Sequence, residues 1–176
     1  YNVGGSNGSD DAQGFLAYTG LSAANRALTS YVVSSDVYAD ANSTQANGVG
    51  LVFGYVDVNN YFLVRWENPS ADYAPAGSLF NSYPGQYQQL SLVQIVGGVP
   101  VDLATGAFAG DDWFNLSISV SNTGIAVTVV DTTSSVTTTL NYTYGSVAGG
   151  AASAPALNTF GLYTFDNDSV VRWDNV

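Results

Sequence analysis

The sequence predicts an all-β protein, a sandwich or barrel of short antiparallel strands, and three observations carry that expectation. Apolar and polar residues alternate with a period of two along most of the chain. Turn-forming clusters such as "GG", "NTG", "DNDS" and "ADAN" separate the alternating runs at short intervals. Helical periodicity is weak and confined to the stretch 22–27, enough for a single turn.

Taken in order, the pattern places strands at 13–18 and 29–39, then at 49–57 and 61–67 within "GVGLVFGYVDVNNYFLVRWEN", where Val58-Asn59-Asn60 forms the hinge. Asp and Asn at such a hinge cap their own backbone, so turn chemistry is its first reading. Strands at 87–96 and 99–104 flank Gly97-Gly98. In the next strand, 113–121, Phe114, Leu116, Ile118 and Val120 point one way, while Asn115, Ser117 and Ser119 point the other. Asn122-Thr123-Gly124 turns the chain into 125–131, and strands at 135–143, 159–165 and 169–175 complete the set. Polar outer faces are expected throughout. Two stretches, 68–85 and 145–157, break the spacing, and loops of that length are functional or mobile.

Composition narrows the chemistry. At 176 residues and 46% apolar, the chain is long enough for one core, and a single domain spanning 1–176 is the expectation. Without Cys or His there is no thiol or imidazole nucleophile and no nitrogen or sulfur ligand for zinc, copper or haem. Oxygen ligands remain, and these suit hard cations such as calcium. The only cations are Arg26, Arg65 and Arg172, and a net charge of −11 opposes binding to nucleic acid or to anionic membrane surfaces. No apolar run is long enough for insertion into a membrane. Low total charge with abundant Gly, Ser, Thr, Asn and Tyr leans towards an extracellular or cell-surface protein. Five sequons, at Asn7, Asn42, Asn115, Asn141 and Asn167, are compatible with secretion.

Several segments resemble one family. "DVYADANSTQANGVGLVFGYVDVNNYFLVRWEN" is similar to the early strands of the laminin-G-like, concanavalin A-like jelly roll found in secreted bacterial proteins and in thrombospondin C-terminal domains. "LSLVQIVGGVPVDLA" resembles that family's apolar hairpin, "DDWFNLSISVSNTGIAVTVVD" its Trp-x-x-Leu strand and the strand that follows, and "NTFGLYTFDNDSVVRWDNV" its closing pair. The matches keep family order from Asp36 to Val176. The resemblance implies a two-sheet antiparallel β-sandwich (jelly roll), and members with this fold serve as carbohydrate-binding modules, adhesion domains and spacers.

The resemblance also implies one structural calcium ion near the junction of the first and last strands, with Asp10, Asp11 and Asp174 as candidates. Asp166 and Asp168 in "DNDS" form a second candidate cluster, and Asp57 with its neighbouring amides a third. Each of these is equally a turn-capping residue. For saccharide binding, the stretch 68–90 offers Tyr73, Tyr83 and Tyr87 beside Gln88, or reads as a loop whose aromatics cover a sheet edge. Trp66, Trp113 and Trp173 are expected in or beside the core. Arg65 and Arg172 are expected as ion-pair partners. The signatures of the family's enzymes, a Glu-x-Asp-x-x-Glu or Gln-x-His strand, are missing. The expected function is thus a non-catalytic extracellular module that binds a glycan or another cell-surface or matrix component. The alternative is a self-associating subunit or spacer of a filament, matrix or large surface adhesin.

Overall fold

The computed structural model describes residues 2–3, 14–18, 20–39, 48–67, 89–108, 112–165 and 171–175. In chain order the strands are β1 (Asn2–Val3), β2 (Gly14–Ala17), β3 (Tyr31–Ala39), β4 (Gly48–Asp57), β5 (Asn60–Glu67), β6 (Gln89–Val96), β7 (Val99–Ala107), β8 (Asp112–Val120), β9 (Gly124–Asp131), β10 (Thr137–Thr143), β11 (Gly161–Phe165) and β12 (Val171–Asp174). One helical turn, α1 (Ala23–Arg26), precedes β3, and the Ser22 side chain caps it by accepting the Asn25 N–H. Every strand expected from the alternation is present, and β1 is added. The largest displacement is at the end of β7, which runs to Ala107.

The strands form two antiparallel sheets. Sheet A has the order β1-β12-β3-β8-β9-β10, and sheet B the order β2-β11-β4-β5-β6-β7. The chain meanders through β4 to β7 within sheet B and through β8 to β10 within sheet A, and it changes sheet between the other consecutive strands. The fold is an all-β sandwich of two sheets.

Inward-facing residues alternate as the period of two requires. Phe114, Leu116, Ile118 and Val120 of β8 and Ile125, Val127 and Val129 of β9 meet Val49, Leu51, Val64 and Leu92 of sheet B in one core. Trp66 is fully buried there, its indole Nε1 donating to the Phe108 carbonyl at 2.8 Å.

The outer face of sheet B departs from the expected polar surface. Val52, Tyr61, Leu63, Val93, Ile95 and Tyr163 form a second buried apolar cluster there, and Arg65 is buried as well. The cause lies in β5, whose "YFLVRW" is apolar at both parities save for Arg65, the signature of a strand covered on both faces. Close packing in this sheet also fixes Gly50, because a Cβ there would run into the Val64 carbonyl of the neighbouring strand.

Turn chemistry sets the hairpin ends. Gly97 and Gly98 adopt φ of +59° and +82°, as a two-residue hairpin turn demands. At the β9–β10 turn the Asp131 carboxylate accepts the N–H groups of Thr133 at 2.7 Å and Ser134 at 2.8 Å. The bond from Ser134 is the main reason the Asp131 carboxyl is held below its ordinary pKa.

Candidate functional site

Tyr73, Tyr83, Tyr87 and Gln88 lie outside the described residues, as do Asp10, Asp11, Asp166 and Asp168. The two remaining candidates are placed. Asp57 closes the β4–β5 turn, its Oδ1 accepting the Asn59 N–H at 2.8 Å and Asn60 Nδ2 at 2.9 Å. Asn60 Oδ1 in turn accepts the Gly97 N–H, and the Gly98 N–H donates to the Asn59 carbonyl, so this turn is stitched to the neighbouring hairpin. Asp57 therefore acts as a turn residue. Among the described residues no three acidic side chains gather in one place.

Asp174 belongs to a different constellation, on the outer face of sheet A. It stands directly opposite Asp36, which stands opposite Asn115, so β12, β3 and β8 place three polar residues in one row. Asn115 Nδ2 donates to Asp36 Oδ1 at 2.9 Å, and Asn175 Nδ2 donates to Asp36 Oδ2 at 2.7 Å. Asn175 reaches that position from a left-handed backbone, φ +51°, a conformation Asn tolerates better than most residues, and its own N–H donates to Asp174 Oδ1 at 2.8 Å. The bond from Asn115, followed by that from Asn175, holds the Asp36 carboxyl below its ordinary pKa.

The row beside it is aromatic. Tyr38 and Trp113 are direct cross-strand partners, with ring centroids 5.6 Å apart and planes inclined at 59°. Both are half-buried, and the Trp113 carbonyl is held from the other side by the Thr132 N–H and hydroxyl. Trp113 is therefore no core residue. Its parity is opposite to that of Phe114, which points inward, whereas Trp66 and Trp173 are buried as expected.

On the far side of the Asp36 row, Ser34, Ser117, Thr128 and Thr139 align as a row of hydroxyls. Three steps of two residues separate Trp113 from Ser119, so the face is about 20 Å long at roughly 3.3 Å per residue. It ends in a shallow open cleft of about 250 Å³ lined by Ser119, Ser121, Thr123, Asn141 and Thr143. An aromatic pair next to fixed amide and carboxylate groups suits a ligand with one apolar face and many hydroxyls. The sequence contained the signal, because Asp36, Tyr38, Trp113 and Asn115 all occupy the outward parity of their strands.

Both lowered carboxyls make the fold sensitive to acid. A group whose folded pKa is depressed stabilises the fold above its unfolded pKa and loses that contribution as pH falls through the folded value. Unfolding free energy should accordingly decline below about pH 4, the ordinary carboxylate value. Urea titrations across the acid range should show this decline, with a shallower slope in Asp131→Asn; an unchanged slope would remove Asp131 as a source.

No family model matches this sequence, and no curated protein matches it. Solved structures with similar folds are more distant in sequence than in shape. The carbohydrate-binding module CBM66 from Bacillus subtilis superposes with a TM-score of 0.57 at 12% identity, covering 96% of this chain and 82% of that one. The CBM2 module of the evolved Dit protein of Lactobacillus casei BL23 phage J-1 gives 0.51 at 11% identity, over 97% of this chain and 63% of that one. A Bacillus subtilis protein with a galectin-like fold also gives 0.51, at 9% identity, over 81% and 68%. This chain thus shares the β-sandwich of carbohydrate-binding modules and galectin-like domains.

Proposed function

We propose that this protein is a non-catalytic glycan-binding module acting outside the cell or at its surface. Its saccharide lies along the outer face of sheet A, with a sugar ring against Trp113 and Tyr38. The observation that carries the reading is the tilted aromatic pair beside the hydrogen-bonded row of Asp36, Asn115 and Asn175. Sugar rings present C–H faces to aromatic rings and hydroxyls to amides and carboxylates. A pre-bonded row needs little reordering on binding. The outer face of sheet B offers no such surface, being apolar and buried. Support also comes from the fold, which is that of a carbohydrate-binding module and of a galectin-like domain. The proposal includes the laminin-G-like identity, supported by the ordered motifs from Asp36 to Val176.

Asp36 does not suit the acid role of a glycosidase. Glycoside hydrolysis needs one carboxyl kept protonated as the acid. Asp36 is shifted the other way. A glycan array probed with the full chain tests the proposal, and binding to a defined set of saccharides is expected. A blank array with and without calcium would remove the glycan reading.

The proposal extends to a structural calcium ion at Asp174. The donors are all oxygens, and Asp174 and Asp36 are like charges in direct cross-strand opposition, an unfavourable pairing that a cation relieves. Thermal melts in EDTA and in added calcium are expected to differ, with the higher Tm in calcium and a reduced difference in Asp174→Asn. Equal melts would take calcium out of the proposal and leave the saccharide site untouched.

A filament or adhesin subunit is the second reading, favoured by β10. It is the edge of sheet A among the described strands, and "TTTLNYT" carries no charge and no proline to discourage pairing with another chain. Concentration-dependent assembly in sedimentation experiments would support it.

A further inference from the structure

We infer that Asn141, in Asn141-Tyr142-Thr143, is an N-glycan acceptor, and that the glycan shields the open edge of sheet A. Two sequons fall wholly within the described residues, and the fold treats them differently. Asn115 lies on β8, inside the sheet, with its amide nitrogen committed to Asp36 at 2.9 Å. A sugar on that nitrogen takes one of its two N–H groups and crowds both the bond to Asp36 and the aromatic row. Asn141 lies on the edge strand β10 and is exposed, and its carboxamide has no hydrogen-bond partner among the described residues.

The extended backbone puts Asn141 and Thr143 on the same outward face, and both are exposed. Between them Tyr142 points inward, buried, its hydroxyl donating to the Ala151 carbonyl at 2.6 Å, which fixes the register of the motif. The open cleft of about 250 Å³ beside Asn141, lined by Ser119, Ser121 and Thr123, gives the first sugar hydroxyl partners without a clash. In the transfer the donor is a lipid-linked oligosaccharide. Asn141 Nδ2 forms a bond to the anomeric carbon, the bond from that carbon to the lipid phosphate breaks, the phosphate leaves with the electron pair, and the amide proton passes to the transferring enzyme.

A bulky, hydrated chain here supplies what the uncharged edge lacks, since natural edge strands are otherwise blocked by charge, proline or a cover. The site lies about 20 Å from Trp113 along the face, so it leaves the aromatic row open.

The test secretes the full chain from yeast or insect cells and maps the sites with peptide N-glycosidase in heavy-oxygen water. Asn141 is expected to be converted to labelled Asp and Asn115 to remain unlabelled. Intact mass should drop by one glycan in both Asn141→Gln and Thr143→Ala, and stay unchanged in Asn115→Gln. An unlabelled Asn141, or masses indifferent to both variants, would overturn the assignment. Enzymatic removal of the glycan should raise self-association in sedimentation velocity. A deglycosylated chain as monodisperse as the glycosylated one would overturn the shielding role.

Discussion

Replacing Trp66 by alanine is expected to cost about 4 kcal/mol of stability, within the range measured for large aromatic residues removed from cores. Trp66 sits where the two sheets meet. It is fully buried, its ring centroid is 5.9 Å from that of Phe114, and Phe114 in turn packs edge-on against Phe108 at 5.3 Å. Alanine leaves a cavity that a pleated sheet cannot close, because β5 is held on both sides by β4 and β6. It also strands the Phe108 carbonyl, which loses the indole N–H, and an unsatisfied buried acceptor adds about 1–3 kcal/mol. Domains of this kind have roughly 5–15 kcal/mol to lose, so the variant should unfold at a much lower urea concentration. Trp66→Phe shifts the balance between the two contributions, since it keeps most of the ring volume and loses the donor. Urea midpoints in the order wild type, Phe, Ala are expected. A cost of under about 1 kcal/mol for Ala would show that the core repacks around the site.

The strands were legible because each carries its own period. The alternation in β8 and β9 reads the same in sequence and structure, and Ser22–Ala27 becomes the helical turn that its residues allow. The Asp57 hinge was legible as a turn for the same local reason, since its carboxylate bonds to residues two and three positions ahead. Pairing between distant strands was not. Tyr38 and Trp113 are 75 positions apart and meet because β3 lies beside β8, a register that no local pattern contains. Asp36, Asn115 and Asn175 come together through the same pairing, with β12 as the third strand. Parity alone would have put Trp113 outside the core, since it is adjacent to the inward Phe114; the apolar character of the strand masked that. In β5 the opposite occurred. Its continuous apolar run marked a strand covered on both faces, and expecting a polar outer face there ignored that feature. Side chains that point outward from central strands form the candidate site, and tertiary pairing decided which of them became neighbours.

Trp113→Ala should abolish most saccharide binding while leaving the fold in place. In small interfaces one or two aromatic anchors carry most of the binding energy, and losing such an anchor costs about 2 kcal/mol or more. That corresponds to a rise in Kd of roughly 30-fold, measurable by calorimetry against the strongest saccharide found on the array. The effect on stability should be small by comparison. Trp113 is half-buried on the outer face, and its ring packs against Tyr38, a contact of about 1 kcal/mol. Trp113→Phe should keep much of the affinity, because stacking needs a flat apolar surface and not the indole N–H. Asp36→Asn tests the polar half of the site. It removes the charge that Asn115 and Asn175 are arranged to meet, so it should weaken binding and loosen both amides, in contrast to a substitution on the outer face of sheet B. If Trp113→Ala and Asp36→Asn each leave the Kd unchanged while the wild-type chain still binds, the saccharide is held elsewhere and the outer face of sheet A is only a surface. A parallel loss in both variants, at near-native Tm, would instead locate recognition on these two adjoining rows.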